Sequence, residues 1–366
     1  MRIEKLALNG FRNYEWETVE FAPGTNVISG QNAQGKTNLL EAVYMLSCGR
    51  SFRTRFDREL VGFGYSEAEI LADICSAERR QTVSIRLKPG QPKRILVNGV
   101  KKTAGELAGR INAVLFCPDD LNLIKEGAAV RRRLMDNAIS QIRPRYAELL
   151  SEFNRLYEHK TRILKDWREK PSLLDTLDEF SDGMARASAH LIRYRAAYAE
   201  RLAEAAAPIH RAFSGEGEAL SLRYCTVSTV KDPSASVKEI YYDVCEHQES
   251  HRQAELDAGQ CLTGAHKDDL EIGINGRLAK SYASQGQTRT AALSLKLAER
   301  EIVLAETGET PILLLDDVLS ELDTKRQEFV LNRIGGGQTL ITCCEDEEIS
   351  RRTGGKVLLV EKGKIR

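Results

Sequence analysis

The sequence predicts an α/β protein with mixed sheets and an inserted α-helical segment. Short apolar runs alternate with turn residues in the first third of the chain and again in its last hundred residues. Between them, residues 128–168 and 173–212 contain almost no Gly or Pro and are rich in Ala, Leu, Arg and Glu. A glycine-rich loop at 30–37 stands between a strand pattern and a helix pattern, as in a βα unit.

The composition sets limits on the class of protein. With 366 residues, the chain is long enough for two or three domains with a sizeable core. Its 53 Lys and Arg residues balance 53 Asp and Glu residues. This balance excludes a uniformly basic nucleic-acid coat and an acidic disordered tail. It leaves open a nucleic-acid binder whose charges are segregated along the chain.

The sequence is not typical of a membrane or secreted protein. No stretch approaches 18 consecutive apolar residues, and Glu4 and Lys5 lie where a secretion signal needs an apolar run. The eight cysteines are scattered without short regular spacings. We therefore expect a reducing, cytoplasmic location.

Local patterns predict the individual elements. Strands are expected at 68–75 and 81–87, and residues 94–100 read as one arm of a hairpin that turns at Asn98-Gly99. The two Gly- and Pro-poor segments predict a long amphipathic helical hairpin that ends near Pro208 and Gly215. In the last hundred residues we predict helices and strands over 287–306, 311–316, 321–333, 338–343 and 356–361.

Residues 30–37 read GQNAQGKT and fit the phosphate-loop pattern G-x-x-x-x-G-K-[ST]. Residues 26–28 supply the preceding strand and residues 38–46 the following helix. The glycines allow successive backbone N–H groups to face a phosphate at the positive end of that helix. Lys36 is expected to reach the β- and γ-phosphates and Thr37 to bind Mg²⁺. The predicted nucleotide contacts are Gly30, Gln31, Asn32, Ala33, Gln34, Gly35, Lys36, Thr37 and Asn38.

A second candidate centre lies at residues 311–317, PILLLDD, where two acids end an apolar run. Asp316 is expected to join Thr37 at the Mg²⁺ ion, and Asp317 to act as the base for an attacking water. Downstream, Ser320 to Asp323 read as a helix N-cap, and Ser284 to Gln287 open another helix. Taken alone, either helix start is a plain cap rather than a site.

Motifs along the whole chain, in this order, make it resemble the RecF family of bacterial recombination mediators, which are related to SMC-type proteins. They include FRNY at 11–14, the phosphate loop, GRSFR at 49–53, PDDL at 118–121, RRRLMD at 131–136, LTGAHKDDL at 262–270, SQGQTRT at 284–290 and LLLDDVLSELD at 313–323. The resemblance implies an ABC-type ATPase head with an inserted helical arm. It divides the chain into an N-terminal head part (1–125), the arm (126–260) and a C-terminal head part (261–366).

The resemblance also implies several residue roles. Ser284, Gly286 and Gln287 would form a signature loop that contacts the γ-phosphate held by the opposite protomer, so that ATP joins two heads. Asp323 would lie near the same interface, and Arg12 and Asn13 beside the nucleotide.

Several positions depart from the wider ABC pattern. Asp317 stands where ABC enzymes usually have Glu, and this shorter base predicts slow, switch-like hydrolysis. No glutamine occurs around 116–118, so Asp119 or Asp120 is the candidate substitute for the Q-loop residue. The expected switch histidine is replaced by residues 342–345, TCCE.

Three basic clusters are candidate DNA surfaces: residues 86–102, the arginines at 50, 53, 55 and 58, and the arginines at 131–133, 143 and 145. Residues 86–102 contain six basic residues and no acid, whereas residues 301–330 contain eight acids and two bases. We expect backbone contacts without sequence preference and with strong salt dependence, because few aromatics interleave with the clusters. The DNA candidates are Arg50, Arg53, Lys88, Lys93, Arg94, Lys101, Lys102, Arg131 and Arg132.

By this resemblance, the chain is expected to dimerise on ATP and Mg²⁺ and to bind single-stranded, duplex and gapped DNA. It would act with RecR and RecO to load RecA in repair, replication and the SOS response. The alternatives are an SMC-like structural clamp, for which the arm is too short, and another ABC-type ATPase such as a transporter subunit. A metal site at Cys245, His247, His251 and Cys261 lacks the paired ligand spacing of zinc sites.

Overall fold

The computed structural model describes residues 1–77, 79–107, 109–215, 217–344 and 347–366. These residues form two compact units. The first unit comprises Met1–Asn122 and Ala292–Arg366, and the second comprises Leu123–Ala291. The first unit is discontinuous in sequence because its second sheet combines strands from both ends of the chain.

The helices and strands follow one another in three stretches. The N-terminal stretch contains β1 (Arg2–Phe11), β2 (Tyr14–Glu20), β3 (Thr25–Ser29), α1 (Lys36–Cys48), β4 (Ala68–Cys75), β5 (Arg80–Leu87), β6 (Arg94–Val97), β7 (Val100–Lys102), α2 (Ala104–Leu107) and β8 (Ala113–Phe116). The middle stretch contains α3 (Ala128–Ile142), α4 (Pro144–Asp166), α5 (Leu177–Phe213), β9 (Leu220–Cys225), α6 (Val237–Ala258), β10 (Asp269–Ile274), β11 (Arg277–Leu278) and α7 (Ala279–Tyr282). The C-terminal stretch contains α8 (Gln285–Thr307), β12 (Ile312–Leu315), α9 (Thr324–Leu331), β13 (Thr339–Cys343), α10 (Glu347–Thr353), β14 (Lys356–Glu361) and β15 (Lys364–Ile365).

The first unit is built from two sheets and helix α1. One sheet is antiparallel, with the order β2-β1-β4-β5-β6-β7, and includes the predicted hairpin that turns at Asn98-Gly99. The other has the order β15-β14-β3-β13-β12-β8 and is parallel from β14 to β8. Helix α1 packs against strands of both sheets, and its residues from Leu39 to Ser47 are all buried. A helix that is buried on all sides needs this largely apolar sequence.

The second unit packs four helices, α3 to α6, beside the small sheet β11-β10-β9. A helix predicted over 128–168 is in fact two, because Pro144 has no N–H to donate and begins α4 at its first position. The predicted end near Pro208 and Gly215 is confirmed at Gly215, because α5 runs through Pro208 and ends at Phe213.

Residues 261–291 lie in the second unit, whereas the resemblance assigns them to the C-terminal part of the ATPase head. Strand β10 pairs with β9 over its whole length. Directly before it, the fully buried carboxylate of Asp268 accepts hydrogen bonds from Arg195 of α5 (2.6 Å) and from Thr226 (2.7 Å). The Arg195 guanidinium also donates to Asp136 of α3 (2.9 Å). The LTGAHKDDL motif therefore supplies a structural ion-pair network in this unit.

Neighbouring side chains of the second unit also have structural roles. Burial lowers the pKa of His266 to about 4, and its ring packs against Tyr157 with 4.6 Å between centroids. The rings of His247 and His251 stack at 4.2 Å, and the buried Cys261 thiol donates to the Thr263 carbonyl. Within the described residues, no group of three or more metal-ligating side chains comes together.

We predict that the buried ion pair between Lys160 and Glu255 is essential to the stability of the second unit. The two groups are 2.7 Å apart, with 2% and 3% of their side chains exposed. Lys160→Met leaves a buried, unpaired carboxylate, which is expected to lower the free energy of unfolding by about 3–5 kcal/mol. Urea titration in a Trp16→Phe background, with Trp167 as the reporter, measures this loss.

The matched control is Arg145→Met, which removes an exposed pair with Glu148 and is expected to cost below about 1 kcal/mol. Burial alone would raise the pKa of Glu255, but Lys160 and the hydrogen bonds from Thr263 and the Leu262 N–H outweigh it and lower that pKa. The pair's contribution is therefore complete above pH about 4.5 and disappears as the pH falls through the lowered pKa. Equal losses in the two variants at pH 7 would contradict the prediction.

Candidate functional site

The glycine-rich loop connects β3 to α1 and has a backbone that only glycine adopts easily. Gly30 and Gly35 have φ angles of 150° and 121°. A Cβ atom on Gly30 would lie 2.3 Å from the Val360 carbonyl oxygen, and one on Gly35 would lie 2.8 Å from the Asn13 side chain. Both positions therefore exclude larger residues, and the loop keeps the open curve that exposes its N–H groups.

Lys36 lies across this loop. Its ammonium donates to the carbonyls of Gly30 (2.7 Å) and Gln31 (3.2 Å), and the residue is only 4% exposed. The Cys344 thiol is 3.8 Å from the same nitrogen and 3.2 Å from the Asn32 amide oxygen. An ammonium held inside the curve of the loop is placed to meet an anion bound by the loop.

The two predicted centres meet at the carboxyl ends of β3, β13 and β12. The Thr37 hydroxyl donates to Asp316 Oδ1 at 2.9 Å, and Thr342 donates to the same oxygen at 2.9 Å. Burial raises the pKa of Asp316, although both hydroxyl groups oppose the shift. Next to it, Asp317 has a left-handed backbone (φ 50°), and its N–H donates to Thr342 Oγ1 at 2.8 Å. Strain at a non-glycine residue is typical of functional positions.

The phosphate loop and Asp317 line a cavity of about 330 Å³ in the first unit. Its walls are Asn32, Ala33, Gln34, Gly35, Lys36, Thr37, Asn38, Arg53 and Asp317. The backbone donors and the Lys36 ammonium suit phosphate oxygens. Thr37 and Asp316 offer the hard oxygen ligands that Mg²⁺ prefers. The residues present therefore fit a magnesium-bound nucleoside triphosphate.

Arg12 and Asn13 support the phosphate loop from behind. Arg12 forms a bidentate ion pair with the fully buried Glu41 of α1, with both distances 2.8 Å. Asn13 donates to the Gln34 carbonyl at 2.8 Å and accepts from the Asn38 amide at 2.8 Å. The structure thus places both beside the loop, and neither lines the cavity.

Arg53 is a cavity residue that sequence patterns had placed among the DNA candidates. Its guanidinium donates to Asn38 Oδ1 at 2.7 Å and lies 3.7 Å from Glu41. The supporting roles of Glu41 and Thr342 were not predicted from the sequence. Both act through contacts with residues far away in sequence, so no local pattern marks them.

The positions that depart from the ABC pattern have local partners. Asp120, a candidate substitute for the Q-loop residue, accepts from the Cys117 N–H at 2.9 Å and does not line the cavity. At the switch position, Cys344 contacts Lys36, whereas Glu345 lies outside the described residues.

The signature loop, residues 284–287, begins helix α8 in the second unit. The Ser284 N–H donates to Gln287 Oε1 (2.8 Å), and the Gln287 N–H donates to Ser284 Oγ (3.2 Å), which is a capping box. Gly286 lies within the first turn. In the first unit, Asp323 caps α9 by accepting from the Arg326 N–H at 3.0 Å.

The DNA candidates divide into paired and unpaired residues. Arg131 is 5% exposed and bound to Asp269 (2.7 Å), and Arg132 donates to the Asp268 carbonyl at 2.6 Å. Lys93 pairs with Asp57 at 2.9 Å and Lys102 with Glu106 at 2.8 Å. Arg50, Lys88, Arg94 and Lys101 are exposed, and the last three form no ion pair with any described residue.

Exposed aromatic side chains lie among the basic residues of the segment 50–65, which the sequence did not indicate. Phe63 is fully exposed between two glycines, and Phe56 is 56% exposed with the Arg58 guanidinium 5.1 Å from its ring centre. The expectation that few aromatics interleave with the basic clusters is therefore wrong for residues 50–65.

None of the helices in the described parts of the chain is long and apolar enough to cross a membrane.

Comparison with known proteins identifies the family. The family model for the RecF/RecN/SMC N terminal domain matches residues 2–361. The DNA replication and repair proteins RecF of Acetivibrio thermocellus and Listeria innocua are each 40% identical to this chain, over 98% and 100% of both sequences. A solved structure of the recombination mediator protein RecF-ATP in the RecFOR pathway has a TM-score of 0.91 at 35% identity, covering 100% of this chain and 96% of that one. The Smc head domain of Pyrococcus furiosus shares the fold, with a TM-score of 0.57 at 17% identity over 100% of this chain and 95% of that one. The chain has the ABC-type ATPase fold and belongs to the RecF family.

Proposed function

We propose that this chain binds ATP with Mg²⁺ and uses the nucleotide to control its own dimerisation on DNA. The observation that carries the proposal is the 2.9 Å hydrogen bond between Thr37 and Asp316. It joins the phosphate loop to an acid that is 279 residues away in sequence, and it places two oxygen ligands together beside the cavity. The similarity to the solved structure of RecF-ATP supports the same nucleotide.

Each residue of the cavity has a part in this proposal. Lys36 exchanges its carbonyl partners for phosphate oxygens, and the loop N–H groups bind the same phosphates. Thr37 and Asp316 hold Mg²⁺, which neutralises phosphate charge when bound. Asp317 orients and deprotonates the attacking water. Its short side chain makes hydrolysis slow, so that the reaction acts as a timer. Arg53 joins the nucleotide site.

Dimerisation brings the signature loop of one protomer to the nucleotide of the other. Ser284 Oγ accepts from the Gln287 N–H, so its own hydroxyl proton is available for a phosphate. The surface for DNA comprises the exposed basic residues of the segment 86–102 together with Arg50, Arg55, Arg58, Phe56 and Phe63. In this proposal the dimer works with RecR and RecO to load RecA during repair and replication in the cytoplasm, and the similarity to a RecF of the RecFOR pathway supports these partners.

The first test of this function is Lys36→Ala. We expect the variant to remain monomeric with ATP and Mg²⁺ in light scattering, because the loop loses its phosphate-binding ammonium. Lys170→Ala, an exposed lysine of the second unit, serves as the control and should dimerise like the wild type. Normal ATP-dependent dimerisation of Lys36→Ala would overturn the proposal.

A second pair of variants separates binding from hydrolysis. Asp317→Asn keeps the size of the side chain but removes the base, so hydrolysis is expected to fall by about 100-fold or more while dimerisation persists. Asp316→Asn removes a metal ligand and is expected to weaken both. Phosphate release and light scattering measure the two effects. Unchanged hydrolysis by Asp317→Asn would exclude Asp317 as the base.

A third test compares two triple variants on the same basic hairpin. Lys88, Arg94 and Lys101 lack ion-pair partners among the described residues, whereas Arg86, Lys93 and Lys102 are paired with acids. Alanine at the first three is expected to reduce the steepness of the salt dependence for duplex DNA. The slope of the log of the binding constant against the log of the salt concentration should become less negative by about 2–3. Alanine at the second three should change it less. Equal slopes in both variants would show that DNA binds elsewhere.

A further inference from the structure

The side-chain amide of Gln287 in the signature loop is hydrogen-bonded to a residue outside that loop. Its Oε1 accepts from the Ser284 N–H, and its Nε2 donates to Glu218 Oε1 at 2.8 Å. Glu218 lies just before strand β9, 69 residues before Gln287 in the chain. Both ends of the amide are therefore engaged within the second unit, and Gln287 supports the loop.

Glu218 and the Ser284 N–H together fix the orientation of this amide. A carboxylate accepts hydrogen bonds but donates none, so only the NH₂ end of Gln287 can face it. The carbonyl end must then face the Ser284 N–H, which completes the capping box. Without the carboxylate, the Gln287 side chain keeps only its bond from the Ser284 N–H, so the capping box loses the support that holds it from outside the loop.

The other oxygen of Glu218 reaches the helical arm. Glu218 Oε2 lies 3.3 Å from His210 Nε2, and His210 is fully buried in the last turn of α5. Helix α5 has 37 residues and also carries Arg195, the centre of the ion-pair network with Asp136 and Asp268. A displacement of this helix would therefore move the group that orients the signature loop.

We propose that Glu218 is a positioning residue for the signature loop and that it couples the loop, through His210, to helix α5 of the arm. The proposal rests on the proposed role of Ser284 in ATP-dependent dimerisation. The arm would then take part in controlling ATP-dependent dimerisation. A ligand that shifts α5 would change how tightly the signature loop of one protomer binds the nucleotide of its partner, without contacting the phosphate loop.

The test uses the full chain with Glu218→Ala and Glu218→Gln. In Glu218→Ala we expect the dissociation constant of the ATP-bound dimer to rise about tenfold or more, while the affinity of the dilute monomer for ATP is unchanged. Glu218→Gln keeps an oxygen that can accept from Gln287, so it should recover most of the dimer affinity. Analytical ultracentrifugation and binding of a fluorescent ATP analogue measure the two quantities.

Two further variants separate this inference from the proposed function and from a folding defect. Ser284→Arg blocks the loop directly, so its normal dimerisation would overturn the proposed function itself. If Ser284→Arg fails to dimerise and Glu218→Ala dimerises normally, only the positioning role is wrong. Glu218→Gln combined with Gln287→Glu restores one amide–carboxylate bond in reverse and should dimerise better than Gln287→Glu alone. The absence of such rescue, with the urea transition at Trp167 unchanged, would also overturn the positioning role.

Discussion

The hydrogen bond between Thr37 and Asp316 depends on the order of three parallel strands. Strand β13 lies between β3 and β12, so the ends of all three strands meet at one edge of the sheet. The phosphate loop follows β3, the acidic pair follows β12, and Thr342 from β13 bridges them by bonding to Asp316 and to the N–H of Asp317. Parallel strands put their loops on the same side, and this is why α/β proteins bind ligands there. Every group proposed for nucleotide chemistry in the first unit is arranged around this edge.

Local sequence patterns predicted the parts of this site that depend on near neighbours. The glycines and Lys36 of the phosphate loop lie within eight residues, and the apolar run before Asp316 marks a buried strand by itself. Thr342 could not be found in this way, because its role comes from the insertion of β13 between two other strands. Glu41 was missed for a similar reason, since only the fold shows that a buried acid on α1 faces Arg12.

The basic residues show the same limit of prediction from local sequence. Arg131 and Lys101 look equally basic in sequence, yet Arg131 is buried against Asp269, which is 138 residues away, and Lys101 faces solvent. A buried arginine needs its partner and cannot leave it for a phosphate without a large desolvation cost. The balanced charge of the chain thus includes both structural ion pairs, such as that of Arg131, and solvent-facing residues, such as Lys101, that form no ion pair with any described residue. The resemblance to one family predicted the fold class correctly, but it could not distinguish these two kinds of arginine and lysine.

Because the first unit combines both ends of the chain, its parts cannot all form in the order in which they are synthesised. Strand β3 pairs with β13 and β14, and Gln34 in the phosphate loop accepts hydrogen bonds from the N–H groups of Lys362 and Gly363. During translation, the phosphate loop leaves the ribosome among the first forty residues, and its partners follow more than three hundred residues later. The second unit is continuous and can fold in the meantime. The second unit can therefore form in a nascent chain before the phosphate loop has its partners from the C-terminal strands, and only the completed chain presents a supported loop.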